Sequence, residues 1–181
     1  MAEKTRIGFI GVGSMGQMAH LKNYIINDQC EVTAIAEVRQ NTGKAVAQRY
    51  GIPNCYSTAK EMLEAGGLDA VVASQQFSRH GIILEEILKY GLPVFTEKPL
   101  AASVHTGEKI AEMVKNSGTF LMLGYHKRSD PATMYAKKVI DDFKQNGELG
   151  DLTYVRIIMP AGDWIAAGFD GLVQEKDPAA E

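Results

Sequence analysis

Cysteine is scarce in this sequence: Cys30 and Cys55 are the only two among 181 residues, far apart and with no CxxC spacing. Neither a disulfide scaffold nor a zinc knuckle is indicated. An excess of one charge is missing too, since 19 Lys+Arg stand against 22 Asp+Glu, for a net charge of −3 and no single-sign block. That balance excludes a polybasic nucleic-acid binder as the default reading. No apolar run approaches the ~18 residues needed to span a bilayer. The opening MAEKTRIGFIG enters a strand-like run at once, without the apolar core of a signal peptide ahead of it. Glycine follows no triplet period, and no internal repeat or low-complexity stretch is visible. What is present, 45% hydrophobic and 23% charged residues, is an ordinary globular composition. The expectation is a soluble cytoplasmic protein, long enough for one well-buried domain or for one domain and a fragment of another.

From Thr5 to Gly124, short apolar or β-branched runs alternate with longer helix-period segments. The pattern predicts strands at 6–10, 31–37, 54–56, 69–73, 93–96 and 119–123. Helices are predicted between them, over 14–28, 40–50, 58–65 and 104–117. A further helix carries Ile83, Ile87 and Leu88 at helical period, with Gly91 where a C-cap belongs. Short apolar strands, each followed by a crossover of roughly ten residues or more, imply a parallel sheet covered on both faces. Right-handed crossovers then give a doubly wound α/β domain over residues 1–124. After Gly124 the pattern changes. Residues 131–146 read as an amphipathic helix with Met134, Ile140 and Phe143 among its apolar positions, and LTYVRIIM (152–159) reads as a strand. The tail beyond has no sustained period, and nothing follows for Trp164, Ile165 and Phe169 to pack against. Residues 125–181 are therefore expected to be the incomplete start of a second, α+β domain with an open sheet.

The strongest local motif is Gly11-Val12-Gly13-Ser14-Met15-Gly16, a GxGxxG directly after the first strand. Gly11 permits the tight turn, Gly13 lets the backbone approach a pyrophosphate, and Gly16 lets helix and strand pack closely. With Ser14 and Met15 at the helix N-terminus, a phosphate would meet free N–H groups and a favourable dipole. A tight turn with no ligand is the plain alternative. Three features of context favour a dinucleotide: a strand before, a helix after, and Glu37 at the end of the second strand, 21 residues beyond Gly16. A carboxylate there takes ribose hydroxyls and repels a 2′-phosphate, so NAD is favoured over NADP. Arg39 could offset this by pairing with such a phosphate, or could be a solvated surface arginine.

Glu97-Lys98-Pro99, directly after the fifth strand and followed by Leu100-Ala101, is the second informative motif. With the glycine turn, LDAVVAS, GLPVFTEKPLA, GYHKR at 124–128 and NGELGDLTYV, it resembles the Gfo/Idh/MocA family of nicotinamide-dependent sugar and polyol dehydrogenases over residues 5–158. The resemblance implies a Rossmann domain with the nicotinamide at the strand C-termini, beside Glu97 and Lys98. It implies that Lys98 orients the substrate and stabilises or relays charge, a task suited to a cation of adjustable pKa. It also implies that Tyr125 and His126, with Arg128, face the substrate, and that His80 caps its helix or contacts cofactor. The substrate class implied is a sugar or inositol-like polyol, and the assembly a homo-oligomer where the second domain is complete. Two departures stand out. Ser74-Gln75-Gln76-Phe77 replaces the family's proline-asparagine pair in the loop that passes the nicotinamide ribose, and no segment matches the family's later aspartate and histidine. The chain is expected to be truncated in the second domain.

Several residues have plainer readings. Lys98 could pair with a neighbouring carboxylate, and His126 could be a loop histidine in solvent. His20 and His105 read as helix residues without chemistry. No His, Asp or Glu cluster has metal-ligand spacing, so no metal is expected. Gly43-Lys44 lacks the upstream glycine of a P-loop, and without a GxSxG elbow Ser14 is a turn residue, not a nucleophile. Two competing functions remain beside the dehydrogenase. One is a truncated or non-catalytic dinucleotide-binding module. The other is an S-adenosylmethionine-dependent transferase, in which the EKP motif would have no role.

Overall fold

The structure, a computed structural model, describes residues 3–158, 160, 162 and 168–178. Its sheet has six strands in the order β3-β2-β1-β4-β5-β6, every neighbouring pair parallel. The strands are β1 (Thr5–Ile10), β2 (Cys30–Ala36), β3 (Asn54–Tyr56), β4 (Ala70–Ala73), β5 (Val94–Thr96) and β6 (Leu121–Leu123). The chain reverses direction across the sheet between β1 and β4, which is where open α/β sheets bind ligands. The helices are α1 (Lys22–Ile25), α2 (Gln40–Tyr50), α3 (Ala59–Ala65), α4 (His80–Leu88), α5 (Val104–Ser117) and α6 (Pro131–Asn146).

Each central strand sends alternate side chains to two cores. Phe9, Val32 and Ile35 face α1 and α2 with Leu21 and Val46. Ile10, Ala34 and Val71 face α3, α4 and α5 with Met62, Leu84, Ile87 and Ile110. Burial on both faces is why these strands read as continuous apolar runs rather than as alternating ones. Each fully buried aliphatic side chain contributes about 1.5–3 kcal/mol. Local signals set the helix ends. Thr58 and Glu61 form a capping box at α3, Ser103 accepts the Thr106 N–H at α5, and Asp130 caps α6 ahead of Pro131.

The first helix departs from its expected 14–28. A π-helical turn, Gly16–Leu21, runs into α1, which stops at Ile25. There the Asn27 side chain accepts the Gln29 N–H at 2.9 Å, an Asx-type turn that competes with helix continuation.

The chain divides into two compact units, and the tail does not stay with the residues before it. The described tail residues, 168–178, belong to the unit formed by residues up to Gly124, whereas Tyr125 opens the other unit. A set of hydrogen bonds that no local pattern encodes holds the tail there. The fully buried Gln17 amide donates to the Val12 carbonyl (2.7 Å) and the Val173 carbonyl (2.9 Å), and accepts the Val173 N–H at 3.0 Å. Arg49 donates to the Gly171 carbonyl at 2.6 Å. Asp177 accepts the Asn41 and Thr42 N–H groups at 2.7 and 3.1 Å and the Thr42 hydroxyl at 2.6 Å. Val173 also packs on the α1/α2 core. Phe169 lies in a short 3₁₀ turn, Phe169–Gly171, while Trp164 and Ile165 lie outside the described residues.

In the second unit α6 carries the ion pairs Lys137–Asp141 and Lys138–Asp142 along its length. The strand expected at 152–159 is not formed over 152–158, and Met159 lies outside the described residues. A strand needs a ladder partner, and among the described residues this stretch has none.

Candidate dinucleotide-binding site

Beyond β1 the chain turns at Gly11, whose φ of +85° is the left-handed region that a glycine adopts without strain. Its N–H donates to the Ala36 carbonyl at the end of β2, at 2.9 Å. A Cβ on Gly11 would lie 2.7 Å from the Ser74 carbonyl oxygen, and one on Gly16 would lie 2.4 Å from that of Gly11. Both positions are closed to any side chain. Gly13 differs, because only Arg39 Nη2, at 3.4 Å, comes near its ideal Cβ. Apart from that guanidinium nothing crowds the bare backbone, as close approach of a pyrophosphate requires. Ser14 and Met15 are exposed at the start of the helical turn, and no side chain caps it. Its N–H groups remain available to an anion.

Glu37 follows β2 and is 5% exposed. Its Oε2 accepts the Val12 N–H at 2.9 Å, which ties the acid to the glycine turn. Arg39 grips the same carboxylate with both arms of its fork, Nε to Oε1 and Nη2 to Oε2, each at 2.9 Å. The Arg39 N–H adds a third bond to Oε1 at 3.1 Å. Burial opposes ionisation of Glu37. The hydrogen bonds from Arg39 and from the Arg39 and Val12 N–H groups outweigh it and hold the pKa below the ordinary glutamate value. Glu37 is an anion at neutral pH.

The loop after β4 forms the opposite wall. The Ser74 N–H donates to the Ile10 carbonyl at 2.8 Å, fixing the loop beside the glycine turn. Both polar atoms of the Gln75 side chain are buried without a hydrogen-bond partner among the described residues. Between these walls lies a cleft of about 640 Å³, lined by Gly11, Gly13, Glu37, Arg39, Ser74 and Gln75 among others. An unpartnered amide, bare glycine backbone and a buried acid together fit a dinucleotide. Orphaned polar atoms are costly unless a ligand or water satisfies them.

The EKP motif leaves the end of β5, with a cis peptide bond between Lys98 and Pro99. Glu97 Oε1 lies 2.7 Å from His20 Nε2 on the first helix, and its Oε2 accepts the Lys98 N–H at 3.2 Å. His20 also packs edgewise on Phe95 of β5, with ring centroids 5.0 Å apart. His20 was expected to carry no chemistry, but it positions the acid of the motif. A signal was available: it stands four residues after Gly16, one helical turn along the face that packs on the sheet. Lys98 is exposed, and no ion pair among the described residues includes it.

His80 corrects an expectation. It neither caps α4 nor lines the cleft, but is fully buried. Its Nδ1 lies 3.0 Å from the Leu100 carbonyl, which can only accept, so this nitrogen carries the proton. Its Nε2 lies 3.4 Å from Thr96 Oγ1, which donates to the Ala73 carbonyl at 2.8 Å. The imidazole joins α4 to the loop that follows the EKP motif. Its isolation from the cleft follows from burial, which the sequence does not reveal. Tyr125 and His126 open the second unit, both exposed, with the Arg128 guanidinium 5.9 Å from the Tyr125 ring centroid. The structure thus brings Gly11, Gly13, Glu37, Arg39 and Ser74 to one cleft. Glu97 and Lys98 stand on the loop after β5.

A parallel sheet in this order, with a glycine turn, a buried acid beyond β2 and a cleft at the switch point, defines a dinucleotide-binding Rossmann domain. Residues 5–125 match the Gfo/Idh/MocA family model, described as an oxidoreductase family with an NAD-binding Rossmann fold, and the chain belongs to that family. It is 29% identical over 157 residues to scyllo-inositol 2-dehydrogenase (NAD(+)) of Bacillus subtilis, covering 86% of this chain and 44% of that one. It is 30% identical over 168 residues to the rhizopine catabolism protein MocA of Rhizobium meliloti, covering 90% of this chain and 51% of the relative. Among solved structures, scyllo-inositol dehydrogenase from Lactobacillus casei with bound NAD(H) and scyllo-inositol superposes with a TM-score of 0.74 at 24% identity. That match covers 83% of this chain and 44% of the other, and shows the shared fold. The chain spans about half the length of the curated relatives it matches.

Proposed function

We propose that this chain is the cofactor-binding part of an NAD-dependent oxidoreductase acting on a sugar or inositol-like polyol. The observation that carries the reading is the buried Glu37 carboxylate, facing a cleft whose floor is the bare Gly13 backbone. Gly11 makes the turn, Gly13, Ser14, Met15 and Gly16 hold the pyrophosphate through backbone N–H groups, and Glu37 takes the ribose hydroxyls. Ser74 and Gln75 form the opposite wall of the cleft. When bound, the nicotinamide supplies the acceptor or donor of hydride. Lys98, in no ion pair among the described residues, stabilises the developing alkoxide at the reacting carbon and assists the proton's transfer. Glu97, fixed by His20, sets the loop that carries Lys98, while His80 secures its far side through Leu100. Tyr125 and His126 serve the substrate in the complete enzyme, which acts in the cytoplasm as a homo-oligomer. The inositol dehydrogenases among the relatives support the polyol class.

Titration with NADH, followed by nicotinamide fluorescence or calorimetry, tests this reading. Saturable binding is expected, weakened about tenfold or more in Glu37→Ala through loss of charge-assisted hydrogen bonds of roughly 1.5–3 kcal/mol. A folded protein that binds neither NADH nor NADPH would sink the reading. If NADH binds but an inositol transfers no hydride to NAD+, the chain is a non-catalytic dinucleotide module.

A further inference from the structure

The tail returns a carboxylate to the start of α2. Arg39 occupies the N-cap position but supplies no side-chain cap. Asp177 takes that role from 135 residues away, through the Asn41 and Thr42 N–H groups and the Thr42 hydroxyl. The two strap residues before this contact are held as well, because Asn41 Nδ2 donates to the Lys176 carbonyl at 2.8 Å and the Glu175 N–H donates to Thr42 Oγ1 at 3.1 Å. Arg39, gripping Glu37 and lying 3.4 Å from the ideal Cβ of Gly13, also feels the field of Asp177. Its direct partner is Glu37.

A 2′-phosphate hangs from the ribose oxygen that Glu37 reads, and β2 leads from Glu37 through Arg39 directly into α2. The two attractions open to that phosphate are the Arg39 charge and the N–H groups at the start of α2. Both are already taken by the chain's own acids. Resting on the reading of this cleft as a dinucleotide site, we propose that Asp177 is a specificity-determining residue that excludes NADP by occupying the α2 N-terminus, beside the Arg39 that Glu37 already neutralises. Glu37 alone would leave the helix donors free. With Asp177 in place, a phosphate must displace one acid while facing another.

The test compares NADH and NADPH affinities of the 181-residue protein with those of Asp177→Asn and Asp177→Ser. Both replacements keep a neutral side-chain acceptor for the helix N-terminus, so the cap and the fold survive. Glu175→Gln, on the same strap, removes an equal charge without touching Arg39. The expected result is NADPH binding strengthened roughly tenfold in both Asp177 variants, the size of one partly screened like-charge contact. NADH affinity stays within about twofold, and Glu175→Gln changes neither. Unchanged NADPH affinity in the Asp177 variants, beside normal NADH binding, overturns the proposal and leaves the NAD reading intact. Equal loss of both cofactors would make Asp177 a structural cap only, which also overturns it. Binding of neither by the folded parent protein overturns the cofactor reading itself.

Discussion

Gly16 stands where two backbones meet, and the consequence of filling that space is calculable. An alanine Cβ would lie 2.4 Å from the Gly11 carbonyl oxygen, against backbone that cannot rotate away like a side chain. Gly16→Ala must push the first helix off β1, at about 1–3 kcal/mol by comparison with overpacked cores. The phosphate turn moves with it. We expect a lower melting temperature together with loss of NADH binding, measured by thermal denaturation and fluorescence titration. A variant of unchanged stability that still binds NADH would show that the turn tolerates the shift. At this scale the glycines and Glu37 were readable because each fills a position that backbone geometry restricts to one or two residue types. Arg39 was readable only as a choice between a phosphate ligand and a solvated side chain, and the structure shows a third state, locked on Glu37. His80, Gln17 and Asp177 were not readable in these roles. What each does depends on a partner 20, 156 or 135 residues away, and no local pattern encodes that partner.

Most elements follow from the periods of the chain, since strands buried on both faces and helices with a C-terminal glycine are locally specified. The helix at 131–146 and the strand at 54–56 have the boundaries that the pattern predicts. The exceptions are those for which pairing, not period, decides. Residues 152–158 have a strand's composition but no ladder, and 168–178 have no period yet are held in place. The strap depends on Gln17, whose amide meets both backbone groups of Val173 much as a neighbouring strand would. Gln17→Leu leaves the Val12 carbonyl and the Val173 N–H and carbonyl to find other partners. Unsatisfied buried groups cost about 1–3 kcal/mol. The strap is then expected to detach before the sheet unfolds, because its other ties lie closer to solvent. Limited trypsin digestion should cut faster at Lys176 in this variant than in the parent. Equal rates of cleavage would mean that Asp177 and Arg49 hold the strap unaided.

On the scale of the molecule, the two units differ in how they satisfy their apolar surface. The Rossmann unit builds two apolar cores, one on each sheet face, though Ile26 and Val104 stay exposed. The second unit leaves Tyr154, Val155, Ile157 and Ile158 between 60% and 79% exposed on one stretch without regular secondary structure. Successive side chains of an extended segment point to opposite sides. Paired as a strand, this stretch would place Tyr154, Arg156 and Ile158 on a side that carries a charge, and Val155 and Ile157 on one with none. An unpaired, apolar and uncharged edge is a template for a second copy of itself. The protein is expected to self-associate with rising concentration through this segment, as seen by sedimentation velocity. Val155→Lys with Ile157→Thr should restore the monomer, since one charge on the bare side acts as a gatekeeper. NADH binding should be unaffected by the pair of substitutions, because every residue lining the cleft belongs to the other unit. A parent protein that stays monomeric at tens of micromolar would show that the segment is already covered. An association that survives both substitutions would place the interface elsewhere, with the exposed Met134 and Tyr135 of α6 as the next surface to change.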